Sequence, residues 1–353
     1  MERWKIIVSA NIGVAHVTWA MAFSGRRPIP CSSLCSQKEN AMSYQKPLPG
    51  DSHSPVLVSA VIPTKNRKDS LRTVISSVMA QTIPCEIICV DDGSSDGTPE
   101  MLHREFPSVQ VLTNRESRGP TAARNAGAIA ASGKYLLTVD DDCVLTSPSS
   151  VETAIGLFDS VDVAGVTLPF VNVRIDTRIR TAAPEPNGSF VTTDYYAGMV
   201  LFRRDLFLAV NGYREEYFMH HEEPDLAIRL LEKRYFVRNG FDRLIDHYES
   251  PVRDSAKLWE LGARNAILFA FYNVPLTLLP LHLASTVLQT FLYALMRGGA
   301  IPVLKGFCEA IPILSKTMRV RTPVSLRTYR AFRTLKNRGP LRLTVMKEII
   351  GNG

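Results

Sequence analysis

Three consecutive carboxylates, Asp140, Asp141 and Asp142, follow an apolar run that begins at Tyr135. A short apolar run bounded by polar residues is typical of a buried strand. Side chains alternate along extended backbone, so we expect Asp140 and Asp142 to point to one side and Asp141 to the other. Neighbouring carboxylates repel unless a cation lies between them, and oxygen ligands suit Mg²⁺ or Mn²⁺. The triplet predicts a divalent metal site; the alternative is a solvated strand-to-loop junction.

The segments around the triplet alternate between strand and helix patterns. Apolar runs predict strands at residues 56–62, 86–90 and 109–113 and before the triplet, and helical spacing predicts helices at residues 69–80, 98–106 and 120–132. Such alternation, at intervals of roughly 25 residues, indicates β-α-β units. We therefore predict an α/β fold with a mostly parallel sheet flanked by helices.

Polar side chains follow the predicted strands at the points where these strands end. Thr64 and Asn66 follow the first strand, Asp91 and Asp92 follow the second, and the acidic triplet follows the fourth. Open α/β sheets bind their ligands at the carboxyl ends of the strands. The sequence therefore predicts one shared site at this edge of the sheet.

The motifs present narrow the choice of ligand. Neither Gly-x-Gly-x-x-Gly nor Gly-x-x-x-x-Gly-Lys-Ser/Thr follows the first strand, which argues against a dinucleotide fingerprint and a P-loop. A bridging divalent metal lets an acidic site hold phosphate without repulsion. Basic residues lie near the same strand ends, namely Lys65, Arg67, Arg118 and Arg124. A site with a divalent metal, carboxylates and a few basic side chains suits a nucleoside diphosphate as its ligand.

Four segments resemble, in order and spacing, the successive motifs of the family 2 glycosyltransferases. They are Val-Ile-Pro-Thr-Lys-Asn-Arg at 61–67, Val-Asp-Asp-Gly-Ser-Ser-Asp-Gly-Thr at 90–98, Gly-Pro-Thr-Ala-Ala-Arg-Asn-Ala-Gly at 119–127 and Val-Asp-Asp-Asp at 139–142. The resemblance runs from about Val56 to Arg264. It implies the A-type glycosyltransferase fold and the transfer of a sugar from a nucleotide donor with inversion.

The resemblance also implies roles for individual residues. The residues that would hold the base and ribose are Pro63, Thr64, Asn66 and Asp92. Arg124 would lie near the diphosphate. Asp140 and Asp142 would form the Asp-x-Asp element for metal and ribose, with Asp141 close by. Ordinary turn chemistry accounts for Asp91, Ser94 and Ser95.

The second half of the resemblance supplies a catalytic base. The family usually carries Glu-Asp where this chain has Glu222-Glu223, so Glu223 falls on the position of the base. A general base must reach the acceptor hydroxyl within hydrogen-bonding distance. Asp225 and Arg229 are spaced i, i+4 and can pair on a helix. His247 is a candidate for completing the metal or diphosphate site, and a buried structural histidine is the alternative.

Two further features lie near the predicted base. Gly198 precedes a predicted strand and would let the backbone approach a ligand closely. The adjacent residues His220 and His221 could suggest metal ligands, but we interpret them as incidental.

The charge of the 353-residue chain is concentrated at its end. Of its 41 basic and 34 acidic residues, ten basic residues and the acidic Glu348 follow Leu314, which leaves 31 basic and 33 acidic residues in the body. The stretch from Asn273 to Met296 has no charged residue and is long enough to span a bilayer. The combination indicates contact with an anionic membrane surface, without a nucleic-acid partner. The alternative is a hydrophobic helical subdomain or a dimer interface.

These patterns predict three regions. Residues 1–54 form a disordered or linker extension, residues 55–265 the catalytic domain, and residues 266–353 a helical, membrane-contacting appendage with a basic tail. Within the first region we interpret the apolar residues 6–23 as disorder or a false start, with translation beginning at Met42, rather than as a working signal. The six cysteines show no disulfide framework and favour a reducing compartment. We expect the protein at the cytoplasmic face of a membrane.

The sequence thus predicts an inverting glycosyltransferase that requires Mg²⁺ or Mn²⁺. Its substrates would be a nucleotide sugar and a glycan or lipid-linked acceptor, in cell-surface polysaccharide or glycolipid assembly. A nucleotidyltransferase is the enzyme alternative, but residues 63–69 lack the glycine-rich loop usual there. The non-enzyme alternative is an inactive membrane scaffold. Against it stand four retained carboxylates, those of Asp92, Asp140, Asp142 and Glu223.

Overall fold

The computed structural model of the chain describes residues 56–249 and 254–351. The predicted extension at residues 1–54, including the apolar segment, the linker and the alternative start at Met42, lies outside the described residues.

Strands and helices alternate through the first half, and helices dominate the end. The strands are β1 Val58–Thr64, β2 Cys85–Asp91, β3 Gln110–Thr113, β4 Tyr135–Val139, β5 Cys143–Leu145, β6 Val163–Thr167, β7 Phe170–Asn172, β8 Ile179–Arg180, β9 Phe190–Thr192, β10 Met199–Arg203, β11 Phe236–Arg238, β12 Ile245–His247 and β13 Leu341–Arg342. The α-helices are α1 Lys68–Met79, α2 Thr98–Glu105, α3 Pro120–Ala130, α4 Ser150–Gly156, α5 Arg204–Ala209, α6 Glu222–Glu232, α7 Ser255–Asn273, α8 Leu279–Met296, α9 Ala300–Thr317, α10 Leu326–Arg338 and α11 Leu343–Gly351.

The main sheet has the order β13-β9-β11-β6-β10-β4-β1-β2-β3. The four strands at one end of this order, β4, β1, β2 and β3, run parallel, whereas β10 is antiparallel to both β4 and β6. A second sheet, of order β5-β12-β7-β8, begins directly after the acidic triplet. The prediction of an α/β fold with a central sheet flanked by helices is confirmed.

Hydrophobic patterning accounts for the central elements. All seven residues of β1 are buried, as expected for a parallel strand covered by helices on both faces. Helix α1 buries Leu71, Val74, Ile75 and Val78, which recur at helical spacing and form one apolar stripe. The core built in this way fixes the carboxyl ends of β1, β2 and β4 beside one another.

The end of the chain returns to the main sheet. Strand β13 pairs with β9, and the buried residues of α10 and α11, such as Phe332 and Met346, belong to the same hydrophobic core as β1. The predicted division between residues 55–265 and 266–353 falls within α7, so packing continues across it.

Helices α8 and α9 together form an excursion, named here the α8–α9 hairpin (residues 279–317). The backbone N–H of Val324 donates to the carbonyl of Asn273 at 3.1 Å, so the chain leaves and re-enters the fold at nearly the same place. Among the described residues, α8 is the one helix long and apolar enough to cross a membrane, and only 11% of it is buried.

Candidate active site

The acidic triplet lies where β4 ends, and its three carboxylates have three different environments. Strand β4 ends at Val139, and Asp141 and Asp142 lie in a turn that leads into β5. The expected alternation, with Asp140 and Asp142 on one side and Asp141 on the other, requires extended backbone and is not found in this turn. Asp140 contacts Arg124, whereas Asp141 and Asp142 both face Arg67.

Asp140 links the triplet to helices α3 and α6 through Arg124. The Arg124 guanidinium is buried, with Nη2 2.6 Å from Asp140 Oδ1 and Nη1 3.6 Å from Glu222 Oε1. Because both carboxyl groups face one buried guanidinium, this arrangement joins the predicted metal site to the start of the predicted base helix. The sequence suggested Arg124 for the diphosphate, but in the free chain its guanidinium faces these two acids.

Gly198 makes room for Asp140. A Cβ atom added to Gly198 would overlap the carboxyl group of Asp140, and the Asp140 N–H donates to the Gly198 carbonyl at 3.1 Å. The predicted close approach at this glycine is therefore made by Asp140 from within the chain.

Replacing Gly198 with alanine is expected to push the Asp140 carboxylate out of place, because the new methyl group and this carboxylate cannot share one space. We expect metal-dependent stabilisation by a nucleotide sugar, measured by thermal unfolding, to be largely lost. Gly262→Ala is the matched control, since a Cβ there meets no atom within 4 Å. Full donor response in Gly198→Ala would show that Asp140 does not need its present position.

Asp141 is turned toward β1. Its Oδ2 accepts a hydrogen bond from Thr64 Oγ1 at 2.8 Å. Burial raises the pKa of Asp141 to about 7, although Arg67 and Thr64 act in the opposite direction. The hydrogen bond from Thr64 therefore holds the triplet to the end of β1. Pro63, the residue before Thr64, is buried opposite Val90 of β2.

Asp142 meets His247 through the pairing of two short strands. His247 of β12 lies opposite Cys143 of β5, which brings its Nε2 to 3.4 Å from Asp142 Oδ1. The other oxygen, Oδ2, accepts from Arg67 Nη1 at 2.7 Å. Burial raises the pKa of Asp142, but His247 and Arg67 outweigh it, so the pKa is lowered. The carboxylate is therefore kept ionised.

The side chains around Asp142 offer ligand atoms that fit a divalent metal ion. Ligand atoms of Asp142, Cys143 and His247 lie within 4.8 Å of one another, and His247 Nδ1 is buried without a hydrogen-bond partner. Burial raises the pKa of the Cys143 thiol well above its usual range, so Asp142 and His247 are the better ligands. The carboxylate of Asp142 suits Mg²⁺ or Mn²⁺, and the imidazole of His247 adds a nitrogen ligand. Asp140 lies outside this cluster, beside Arg124.

Asp92 organises the loop that precedes α3. Its two oxygens accept four hydrogen bonds, from Asn114 Nδ2 (2.8 Å), Ser117 Oγ (2.6 Å) and the N–H groups of Arg118 (2.9 Å) and Gly119 (2.8 Å). Burial raises the pKa of Asp92, but these donors prevail and lower it. In the free chain, Asp92 therefore uses its acceptor capacity within the protein.

Asn66 joins the loops after β1 and β2. Its backbone, with φ of 54°, is left-handed, a conformation that asparagine adopts more readily than most residues. Its N–H donates to Ser94 Oγ at 2.8 Å, and its Oδ1 accepts from the Ser95 N–H at 2.7 Å. The residue is exposed at the strand edge, where a ligand can reach it.

Glu222 and Glu223 are the first two residues of α6 and have different surroundings. Glu222 is buried against Arg124, whereas Glu223 is partly exposed and its Oε1 accepts from the Ala197 N–H at 3.3 Å. Burial raises the pKa of both, and with the added repulsion of Glu223 the pKa of Glu222 reaches about 8. Of the two, Glu223 is the carboxylate that an acceptor can approach.

The segment before α6 has strained backbone that α7 stabilises. Phe218, His220 and His221 have positive φ angles of 62°, 68° and 68°. The Asn265 side chain of α7 donates to the carbonyls of Tyr217, Met219 and His220 at 2.7–2.9 Å. Strain of this kind persists where surrounding contacts impose it. Sequence reasoning missed Asn265, because nothing near it in the sequence points to the site.

Asp225 is a structural residue. Its buried carboxylate contacts Arg214, Arg229 and Tyr217, and accepts from Asn273 Nδ2 at 2.7 Å. The predicted i, i+4 pair with Arg229 is present. Through Arg214 and Asn273, this ion pair joins α6 to α7.

Comparison with known proteins finds a family similarity in the part of the chain that carries the acidic triplet. Residues 59–210 match the family model described as Glycosyl transferase family 2. Glycosyltransferase AglE of Haloferax volcanii is 35% identical over 92 residues, which are 24% of this chain and 30% of that protein. The undecaprenyl-phosphate 4-deoxy-4-formamido-L-arabinose transferase of Yersinia enterocolitica is 27% identical over 271 residues, 72% of this chain and 74% of that protein. The first of these alignments thus spans less than a third of the relative.

A solved structure has the same fold. The mannosyltransferase PcManGT from Pyrobaculum calidifontis, in complex with GDP-Man and Mn²⁺, superimposes with a TM-score of 0.52 at 16% identity and covers 85% of this chain and 87% of that one.

Proposed function

We propose that the chain, whose residues 59–210 match the model of glycosyl transferase family 2, transfers a sugar from a nucleotide sugar to an acceptor hydroxyl with inversion. One observation carries the proposal. The ends of β1 and β4, the residues Ala197 and Gly198 before β10, and the start of α6 meet, so that Asp140, Arg124 and the Glu222–Glu223 pair are contiguous.

In the proposed reaction, Glu223 accepts the proton of the acceptor hydroxyl. The acceptor oxygen forms a bond to the anomeric carbon as the bond from that carbon to the diphosphate breaks, and the nucleoside diphosphate leaves. Attack from the face opposite the leaving group inverts the configuration. Glu223 suits the role because it is partly exposed at the site, and a raised pKa makes a carboxylate a stronger base.

Asp142 and His247 would hold a divalent ion, Mg²⁺ or Mn²⁺, and we propose Asp140 as a further ligand although it lies outside their cluster, beside Arg124, in the free chain. When bound, such an ion offsets negative charge on the departing diphosphate. Thr64, Asn66 and Pro63 lie at the same strand edge and would contact the base and ribose. For Asp92 we propose contact through the loop it organises or after its hydrogen bonds rearrange, since its oxygens already accept four donors.

The name of one relative supports the acceptor class. An Escherichia coli relative, 35% identical over 88 residues, is named for the lipid-linked sugar GlcNAc-diphosphoundecaprenol, which offers sugar hydroxyl groups. We therefore propose a lipid-linked or glycan acceptor in polysaccharide or glycolipid assembly at the cytoplasmic face of a membrane. The donor test is thermal stabilisation by a panel of nucleotide sugars with and without Mn²⁺. Stabilisation by nucleoside triphosphates instead would favour a nucleotidyltransferase, and no response to any of them would favour an inactive scaffold.

The α8–α9 hairpin is the proposed membrane-contacting surface. Leu281, Leu288 and Leu295 recur every seven residues on α8 and are 52%, 58% and 58% exposed. Seven residues are two helical turns, so these leucines form one stripe. Exposed basic residues, namely Arg297, Lys316 and Arg319, lie at the ends of the hairpin helices. An apolar stripe with flanking cations suits an anionic lipid surface.

Replacing these three leucines together with glutamine is expected to weaken binding to vesicles of phosphatidylglycerol and phosphatidylethanolamine by about a hundredfold. Each half-exposed leucine would contribute about 1 kcal/mol on burial in lipid. Vesicle co-sedimentation measures the change, and Ile129, Val161 and Ile175, which are 63–79% exposed elsewhere, supply the matched triple replacement.

Unchanged vesicle binding in the leucine variant, or an equal loss in the control, would contradict the membrane assignment. If the wild-type protein forms stable dimers and does not bind vesicles, the α8–α9 hairpin would instead be a dimer interface. These substitutions are preferable to truncation after α7, because truncation would also remove β13, α10 and α11 from the core.

A further inference from the structure

The two carboxylates of the proposed metal site contact different arginines, and the arginines differ in their surroundings. The Arg124 side chain is 5% exposed and lies between Asp140 and Glu222. The Arg67 side chain is 37% exposed, and Arg67 directly precedes α1. Arg124 is fixed in the core, whereas Arg67 can leave its partner for solvent or a ligand.

Arg67 places a positive charge beside the position where a cation bound by Asp142 and His247 would lie. Its Nη1 is 2.7 Å from Asp142 Oδ2 and 3.7 Å from Asp141 Oδ1. The remaining Asp142 oxygen is 3.4 Å from His247 Nε2. A divalent ion held by Asp142 Oδ1 and His247 would share this carboxylate with the guanidinium on Oδ2, and it is repelled by this charge for as long as Arg67 stays nearby.

We propose that Arg67 is a displaceable counter-cation of the metal site. In the free chain it neutralises Asp142 and opposes binding of a divalent ion alone; when donor and metal arrive together, Arg67 moves from Asp142 to the diphosphate. A planar guanidinium binds phosphate oxygens through paired hydrogen bonds, so the diphosphate offers it a partner equivalent to the one it leaves. The inference rests on the proposed donor site.

This exchange makes metal and nucleotide binding depend on each other. The nucleotide removes Arg67 from Asp142 and so raises the metal affinity, and by linkage the metal raises the nucleotide affinity by the same factor. Arg124 cannot do this, because its departure would leave Asp140 and the buried Glu222 without their cation.

The test is Mn²⁺ binding to the full chain, followed by the electron paramagnetic resonance signal of free Mn²⁺, without nucleotide and then with UDP or GDP. Arg67→Met keeps the length of the side chain and removes its charge. We expect it to bind Mn²⁺ alone about tenfold more tightly than wild type, since the positive charge that shares Asp142 with the ion and repels it is gone. The gain in Mn²⁺ affinity on adding nucleotide should shrink correspondingly.

Two variants serve as controls. Arg67→Lys retains the charge and should stay close to wild type without nucleotide. Arg72→Met removes another arginine of the same helix region, one that pairs with Asp69 and Glu105, and should leave Mn²⁺ binding unchanged. Equal or weaker Mn²⁺ binding by Arg67→Met would overturn the inference, as would the same gain in Arg72→Met.

Failure of the donor site itself gives a different result. If wild type binds no Mn²⁺ even with nucleotide, or if Asp142→Asn binds it as wild type does, the metal assignment fails and this inference fails with it. If Asp142→Asn loses binding while Arg67→Met matches wild type, only the role of Arg67 is excluded.

Discussion

Replacing Glu223 with glutamine is expected to lower turnover by about 10²–10⁴-fold, the range typical for loss of a general base. Glutamine keeps the size and hydrogen bonding of the side chain, including acceptance from the Ala197 N–H, but cannot take the proton. Donor affinity should change little, because Glu223 lies at the start of α6 and not at the ends of β1 and β4. Release of nucleoside diphosphate from the stabilising donor measures turnover, and thermal shift measures donor binding.

Two further glutamine variants sharpen this prediction. Glu222→Gln should cost less turnover than Glu223→Gln, because Glu222 is buried against Arg124, where an acceptor cannot reach it. Glu100→Gln, at an exposed position of α2, should leave turnover unchanged. Normal turnover in Glu223→Gln together with a large loss in Glu222→Gln would move the base to Glu222.

Replacing Asp142 with asparagine is expected to abolish Mn²⁺-dependent donor binding while the protein still unfolds cooperatively. Asparagine offers only a weak neutral oxygen ligand to a divalent ion, and it removes the charge that Arg67 and His247 face. Isothermal calorimetry with the stabilising nucleotide sugar, with and without Mn²⁺, measures the loss.

The matched control for this change is Asp69→Asn, whose carboxylate is 83% exposed on α1 and pairs with Arg72. It should bind donor and metal as wild type does. Undiminished metal-dependent donor binding in Asp142→Asn, with a cooperative unfolding transition in both variants, would exclude Asp142 as a ligand.

The sequence predicts much of the fold because the local patterns agree with one another. Apolar runs and helical stripes locate every end of β1 to β4 and α1 to α3 to within two residues. The family resemblance is confirmed by the match of residues 59–210 to the family model. Local signals suffice here because parallel β-α-β units are built from neighbouring segments.

The detailed geometry of the site depends on distant segments, which a single sequence does not pair. His247 reaches Asp142 only because β12 pairs with β5, and Glu222 reaches Arg124 only because the assembled fold brings the start of α6 to this side chain. The alternation expected for the triplet fails because β4 stops one residue before it. The return of β13 to the main sheet is likewise non-local, and its two residues give no distinctive pattern.

The sequence also does not predict which carboxylate each of the two arginines contacts. Arg67 and Arg124 both stand near strand ends, yet nothing in their neighbours says that one pairs with Asp142 and the other with Asp140. Arg124 is held in place because its side chain is buried, whereas the more exposed Arg67 can exchange partners. The burial of a long side chain depends on the assembled fold.

The most direct measurement is proton NMR of the sugar released when the purified chain is incubated with a panel of α-linked UDP and GDP sugars and Mn²⁺, with water as acceptor. We predict that one donor is cleaved, that its sugar appears first as the β-anomer, and that cleavage is lost on chelation of Mn²⁺ and in Asp142→Asn. First appearance of the α-anomer, or cleavage that persists in Asp142→Asn without metal, would contradict an inverting, metal-dependent transfer at this site.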